Sequence, residues 1–262
     1  MSRFTTCVLA ILLAFAPAAL AVDGTVLINQ STITNGLTGC PTGGHFPIII
    51  CQSGSYRLSG NLTVPDANTD GIDVNAIDVT IDLNGFSISG PGTKGNSFIL
   101  GTGIQSSNIN TSVSNGTIRG MGNLGIAVIG GRVYKVQAIA NASDGIQATD
   151  DSLVSECISR ANGGRGINVV GAATNNVVDK NAGDGIAGFG GITGNTVLFN
   201  GGNGINLAGD DDTLISGNFV TGNGKAGIVA DCPASITGNE VEGNSGGTIS
   251  ASGPGCLLIN NN

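Results

Sequence analysis

The chain has 262 residues, with 45 glycines, no tryptophan, 4% aromatic and 11% charged residues, and a formal net charge of −8. It is too apolar and too sparsely charged for a disordered chain, and its acidity makes it a poor partner for nucleic acid. The same charge repels acidic glycans unless a cation intervenes.

Residues 1–21 read as a secretion leader. Arg3 supplies the positive start, Val8 to Ala16 the apolar run, and Ala19-Leu20-Ala21 the small residues for cleavage before Val22. The run is too short for a membrane span and nothing later is longer, so no membrane insertion is expected. Removing Arg3 leaves the mature chain one unit more negative. An extracellular or periplasmic location follows, and it permits disulfides. Residues 22–60 do not fit the repeat that follows them and are expected to cap an N-terminal strand edge. Within them Cys40 and Cys51 bracket a loop and form the first candidate disulfide.

Residues 61–262 carry a repeat. The dipeptide Gly-Ile recurs at Ile104, Ile126, Ile146, Ile167, Ile186, Ile205 and Ile228, with a weaker copy at Ile249, at steps of 19 to 23 residues. A period near 20 without a helix-length apolar stripe specifies stacked coils of short strands. Five residues before the isoleucine stand Asn141, Asn162, Asn181, Asn200, Asn223 and Asn244. Ten before it stand Asn176, Asn195, Asn218 and Asn239, with Cys157 one coil earlier. Asn tolerates the left-handed backbone of a sharp turn, and its stacked amides can satisfy one another. Apolar columns at Val154, Ala173, Ile192, Ile215 and Ile236, and at Val178, Val197, Val220 and Val241, supply the other inward positions. Three strands per coil give an all-β, single-stranded right-handed parallel β-helix of about nine coils, a rod ~40 Å long. Cys232 and Cys256 fall on adjacent coils and form the second candidate disulfide. Cys157 reads as a buried small hydrophobe.

The turn asparagines, the Gly-Ile strand starts and the segment Val79-Thr-Ile-Asp-Leu-Asn-Gly85 resemble the right-handed parallel β-helix repeats of the pectate-lyase-like superfamily. The resemblance covers roughly Asn61 to the C-terminus. It implies fold and leaves chemistry open, since that superfamily includes lyases, hydrolases, epimerases and fibres. The Gly-His-Gly and Arg-Ile-Lys of polygalacturonase-type hydrolases and the Asp-Pro-His of alginate epimerases are absent, and the one histidine, His45, lies outside the repeat. The resemblance places a substrate groove over the Gly-Ile strand. Its outward residues are Gln105, Ala127, Gln147, Asn168, Ala187, Asn206 and Val229, among which Gln105, Gln147, Asn168 and Asn206 can hydrogen-bond a sugar.

Two constellations carry candidate chemistry. Asp210, Asp211 and Asp212 follow one Gly-Ile strand and Asp231 the next. Asp211 or Asp212 with Asp231, one coil apart, offers the carboxylate pair of a glycoside hydrolase. The four together offer oxygen ligands for Ca²⁺, with no cofactor otherwise required. A solvated acidic loop is the plainer reading of the same residues. Asp144, Arg165 and Asp184 stand two residues before the isoleucine on consecutive coils. They read either as a lyase-like row of an arginine between acids or, with precedence, as a structural ion-pair ladder. The expected protein is a secreted structural or glycan-interacting one without catalysis, with an extracellular polysaccharide as partner and end-to-end oligomers open to it. The alternative is a polysaccharide lyase or glycoside hydrolase.

Overall fold

A computed structural model of the chain describes residues 24–40, 44–92, 101–207, 209 and 213–262. The leader reading of residues 1–21, and Asp210, Asp211 and Asp212, lie outside the described residues. Apart from one four-residue helical turn, Thr32–Asn35, the regular structure is strand.

The isoleucine column is realised as one continuous parallel ladder. Ile48, Ile72, Ile104, Ile126, Ile146, Ile167, Ile186, Ile205, Ile228 and Ile249 pair in register, coil upon coil. This first sheet therefore has ten rungs where about nine were expected. The added one, Ile48–Ile50, comes from the segment assigned above to the cap. A second sheet begins at Thr25–Ile28 and Gly54–Leu58 and carries inward the column Tyr56, Ile81, Val113, Val133, Val154, Ala173, Ile192, Ile215 and Ile236. A third runs from Leu62–Thr63 to Glu240–Glu242 with Val178, Val197, Val220 and Val241 inward. The three inward columns meet as one core, and most of its side chains are fully buried.

Two asparagine ladders close the turns on either side of the third sheet. In the longer one the backbone N–H and the Nδ2 of Asn162 both donate to Asn181 Oδ1, at 3.0 and 2.8 Å. Asn181 repeats this to Asn200, Asn200 to Asn223, and Asn223 to Asn244. The second proton of each amide goes to a neighbouring carbonyl, as from Asn200 Nδ2 to Val178 O at 3.1 Å. The parallel ladder runs through Asn176, Asn195, Asn218, Asn239 and Asn261. An amide offers two donors and two acceptor sites, and in mid-ladder all four are used.

The left-handed pivot lies one residue before the place expected. The ladder asparagines are not in that conformation; Ala140, Ala161, Lys180, Phe199, Gly222 and Gly243, each preceding one, have φ of +54 to +69°. The pivot turns the chain so that the next side chain points inward. The Gly-Ile glycine answers a need for space. A Cβ on Gly166 would stand 2.7 Å from Asn181 Nδ2 and 2.7 Å from the Gly185 carbonyl. Only glycine lets the ladder amide and the next coil approach so closely.

Both candidate disulfides form, Cys40–Cys51 with a Cα–Cα distance of 5.5 Å and Cys232–Cys256 with 5.0 Å. Cys157 is unbridged and buried. Burial pushes its thiol up to about 12, so it is inert as a nucleophile at neutral pH. It heads the second ladder, its backbone N–H donating to Asn176 Oδ1 at 2.9 Å.

Asn200→Ala removes the acceptor of two Asn181 donors in a site without water. A loss of about 2–4 kcal/mol is expected, a fall in Tm of roughly 4–16 °C. Outward Asn168→Ala should leave the melt unchanged. Circular-dichroism melts of the two variants check this.

Candidate functional site

The pairing of the first sheet fixes what its outer face presents. Asp73, Gln105, Ala127, Gln147, Asn168, Ala187, Asn206 and Val229 follow one another in register along the rod. The four amides expected to line a groove therefore share one row. Ala127 and Ala187 are buried between their larger neighbours. The gap at Ala127 is a shallow depression walled by Gln105, Gln147, Ile129 and Thr149.

Two members of this face were missed. Asp73 is the one carboxylate in the row among the described residues. The column rule applied to Gly71-Ile72 finds it; the outward column above begins only at Gln105, after the 32-residue step from Ile72 to Ile104. Phe189 stands beside the row, paired with Val170, and is 41% exposed. Gly188 and Gly190, at φ +128° and +107°, lead the backbone out and back around it. Glycines on both sides of an aromatic were the available signal.

The candidate acids Asp144, Asp184 and Asp231 each accept a backbone N–H of a neighbouring coil. Asp144 Oδ1 accepts the backbone N–H of Arg165 at 2.7 Å. Asp70 does the same for Thr102 and Asp184 for Asn203, both at 2.6 Å. The carboxylates thus hold the next coil's backbone at the corner between third and first sheets. The ion-pair ladder does not form: Arg165 is exposed and makes no ion pair among the described residues. Its charge is better solvated in water than along a half-buried turn, and its N–H, rather than its guanidinium, meets the acid. Asp184 also receives Asn206 Nδ2 at 2.9 Å, tying the corner to the amide row.

Burial holds the carboxyls of Asp70 and Asp144 above their ordinary value. The N–H each accepts works against this, as does the Arg165 charge for Asp144, and the nearby charges of Asp73 and Asp184 respectively add to it. Asp231 goes the other way. It lies outward on Ile228–Asp231, and its carboxylate accepts the Ser252 hydroxyl and the Gly209 N–H. Both bonds hold its pKa below the usual carboxylate range, which suits neither a general acid nor a base poised near neutrality. Asp144, Arg165 and Asp184 come together at one corner, whereas Asp231 lies farther along the rod. Among the described residues no group of three or more His, Cys, Asp or Glu is placed to hold a metal ion. What remains is a strip of amides with one carboxylate, Asp73, and an exposed aromatic beside it, groups able to hydrogen-bond hydroxyls and to pack against an apolar face.

No family model matches the chain, and no curated protein does. Solved structures share its fold. The A-module of the mannuronan C-5 epimerase AlgE4 of Azotobacter vinelandii aligns over 91% of this chain and 92% of its own, at 16% identity and a TM-score of 0.57. A mutant of the periplasmic alginate epimerase AlgG aligns over 91% of this chain and 82% of its own, at 14% identity and a TM-score of 0.51. The A-module of AlgE6, also from Azotobacter vinelandii, is 18% identical with a TM-score of 0.49 over 78% of this chain, which spans 60% of that module. At such identities the likeness shows the fold alone, a parallel β-helix.

Asp144→Asn keeps an acceptor for the Arg165 N–H and removes the half-buried charge. A raised carboxyl binds its proton more tightly when folded, so its contribution to stability is present at low pH and is lost as pH rises through the folded pKa. The variant should melt at or above the parent at neutral pH, and the difference should vanish in acid. Melting curves at successive pH values from 3 to 8 test this, and a variant that melts well below its parent at pH 7 would refute it.

Proposed function

We propose that this chain is a secreted, non-catalytic glycan-binding β-helix protein that lays an extracellular polysaccharide along its first sheet. The observation that carries the reading is the row Gln105, Gln147, Asn168 and Asn206 in coil register. Amides at intervals of ~4.8 Å or its multiples can meet successive hydroxyls of an extended chain. Phe189 adds an apolar surface for the face of a sugar ring. The fold neighbours named mannuronan C-5 epimerase and alginate epimerase support a polysaccharide as the class of ligand. The two disulfides and the leader sequence support an oxidising, extracellular or periplasmic location.

A catalytic reading, as a polysaccharide lyase or glycoside hydrolase, has one observation in its favour: Asp73 stands in the row itself. Against it, Asp144, Asp184 and Asp231 all accept bonds from backbone N–H groups. Calcium at Asp210, Asp211, Asp212 and Asp231 is part of the proposal only as a variable of the assay.

The test is affinity electrophoresis in gels containing alginate, polygalacturonate or a neutral galactomannan, with and without calcium. At least one should retard the chain. The double variant Gln147→Ala, Asn168→Ala should lose roughly tenfold in affinity with an unchanged melt. Equal retardation of parent and variant would remove the first sheet from the account.

A further inference from the structure

The outer face of the second sheet has a different chemistry. Pairing places Ser55, Thr80, Ser112, Arg132 and Leu153 in one outward row, and Arg57, Asp82, Ser114, Tyr134 and Ser155 in the next. Ser114 is small and only 2% exposed, so the surface dips between Asp82 and Tyr134. Depressions lie on both sides of Tyr134. One is bounded by Ser55, Arg57, Thr80 and Asp82, the other by Ser112, Arg132, Leu153 and Ser155. Tyr134 and Thr80 line both.

The charges here are unevenly satisfied. Asp82 is fully engaged: Oδ2 takes Arg57 Nε at 3.0 Å, and Oδ1 takes the Asn84 N–H at 2.9 Å and Asn115 Nδ2 at 3.2 Å. Lys135 pairs with Glu156 at 3.8 Å. Arg132 is exposed and has neither an ion pair nor a hydrogen bond among the described residues. Asp150 and Asp151, exposed on the adjoining corner, do not pair with it. An unpaired guanidinium beside an aromatic ring and a row of hydroxyls thus stands on a chain of net charge −8.

We propose that this face is a second glycan site, which takes one carboxylated sugar unit. The ring of Tyr134 stacks against the sugar face. Arg132 receives the carboxylate through two parallel N–H donors, the geometry in which guanidinium exceeds ammonium. Ser112, Thr80 and Ser55 bond the sugar hydroxyls along the row. This site shares no residue with the first-sheet row, and its ligand is defined by a cation where that row carries amides and the carboxylate Asp73.

Tyrosine fluorescence reads the site directly, because the chain has no tryptophan and two tyrosines, Tyr56 and Tyr134. Tyr56 is buried, its hydroxyl donating to Gln52 O at 2.8 Å. In a Tyr56→Phe background the probe is an oligogalacturonate hexamer, titrated alongside its fully methyl-esterified, neutral counterpart. The acid should change Tyr134 emission and the ester should bind roughly tenfold more weakly. Arg132→Gln should lose about tenfold in affinity for the acid, and Arg132→Lys should recover part of it. In unlabelled calorimetry on the full chain, Tyr134→Ala should weaken binding and Tyr134→Phe should preserve it. No binding of the acid, binding without a change in emission, or an Arg132→Gln variant with parental affinity would overturn the site. Loss confined to the Gln147→Ala, Asn168→Ala variant would overturn it while upholding the first-sheet reading. Loss confined to the Arg132 and Tyr134 variants would do the reverse.

Discussion

Each sharp turn beside the third sheet points a backbone N–H into the core, where water cannot reach it. A buried donor left unpaired costs about 1–3 kcal/mol, and the turn recurs with every coil. The asparagine ladders answer this repeated demand. Asn181 Oδ1 accepts both the N–H and the amide proton of Asn162, and its own amide protons go to Asn200 and to Ser159 O. Because each amide depends on the next, the stack fixes the coils in a single register. The left-handed residue before each asparagine and the bare glycine of the Gly-Ile pairs follow from that requirement. One aims the side chain inward; the other makes room for it.

Register then decides the surface. Once Ile146 must lie over Ile167, Gln147 must lie over Asn168 on the outside, and the outward residues form rows whether or not a ligand is bound. The same need for acceptors reaches the corner between third and first sheets. There Asp70, Asp144 and Asp184 each take a backbone N–H of the next coil. A carboxylate in that role is oriented along the rod and partly removed from water. Burial raises the carboxyls of Asp70 and Asp144, and all three acids fasten one coil to the next. The face left for recognition is mostly neutral on the first sheet and locally cationic at Arg132 on the second.

Much of this was legible in the sequence because side chains one coil apart recur at nearly constant spacing. Counting back from isoleucine found the two asparagine columns, the apolar columns, the amide row and the Cys232–Cys256 bridge. Counting failed where spacing or direction was lost. Ile48 follows Pro47 rather than a glycine, and the outward column began only at Gln105, so Ile48 and Asp73 were left out. The left-handed pivot was placed on the asparagine because composition names the residue but not which of two neighbours turns. The Asp144–Arg165–Asp184 row was correctly aligned and wrongly paired. Column position brings residues together, yet whether a carboxylate meets a guanidinium or a backbone N–H depends on side-chain direction. The place of Tyr134 between two depressions required the second sheet's register.

The central claim is that acids held to backbone N–H groups leave this rod able to bind a polysaccharide without changing it. Proton NMR of alginate and polygalacturonate incubated with the mature chain, with and without calcium, tests that claim most directly. One spectrum reports new reducing ends, olefinic protons of a lyase product, and any altered ratio of anomeric signals. The account predicts broadened polysaccharide lines in at least one mixture and no new resonance over a prolonged incubation. A new anomeric or olefinic signal that grows with protein concentration would contradict it and point to Asp73 as the residue to replace first.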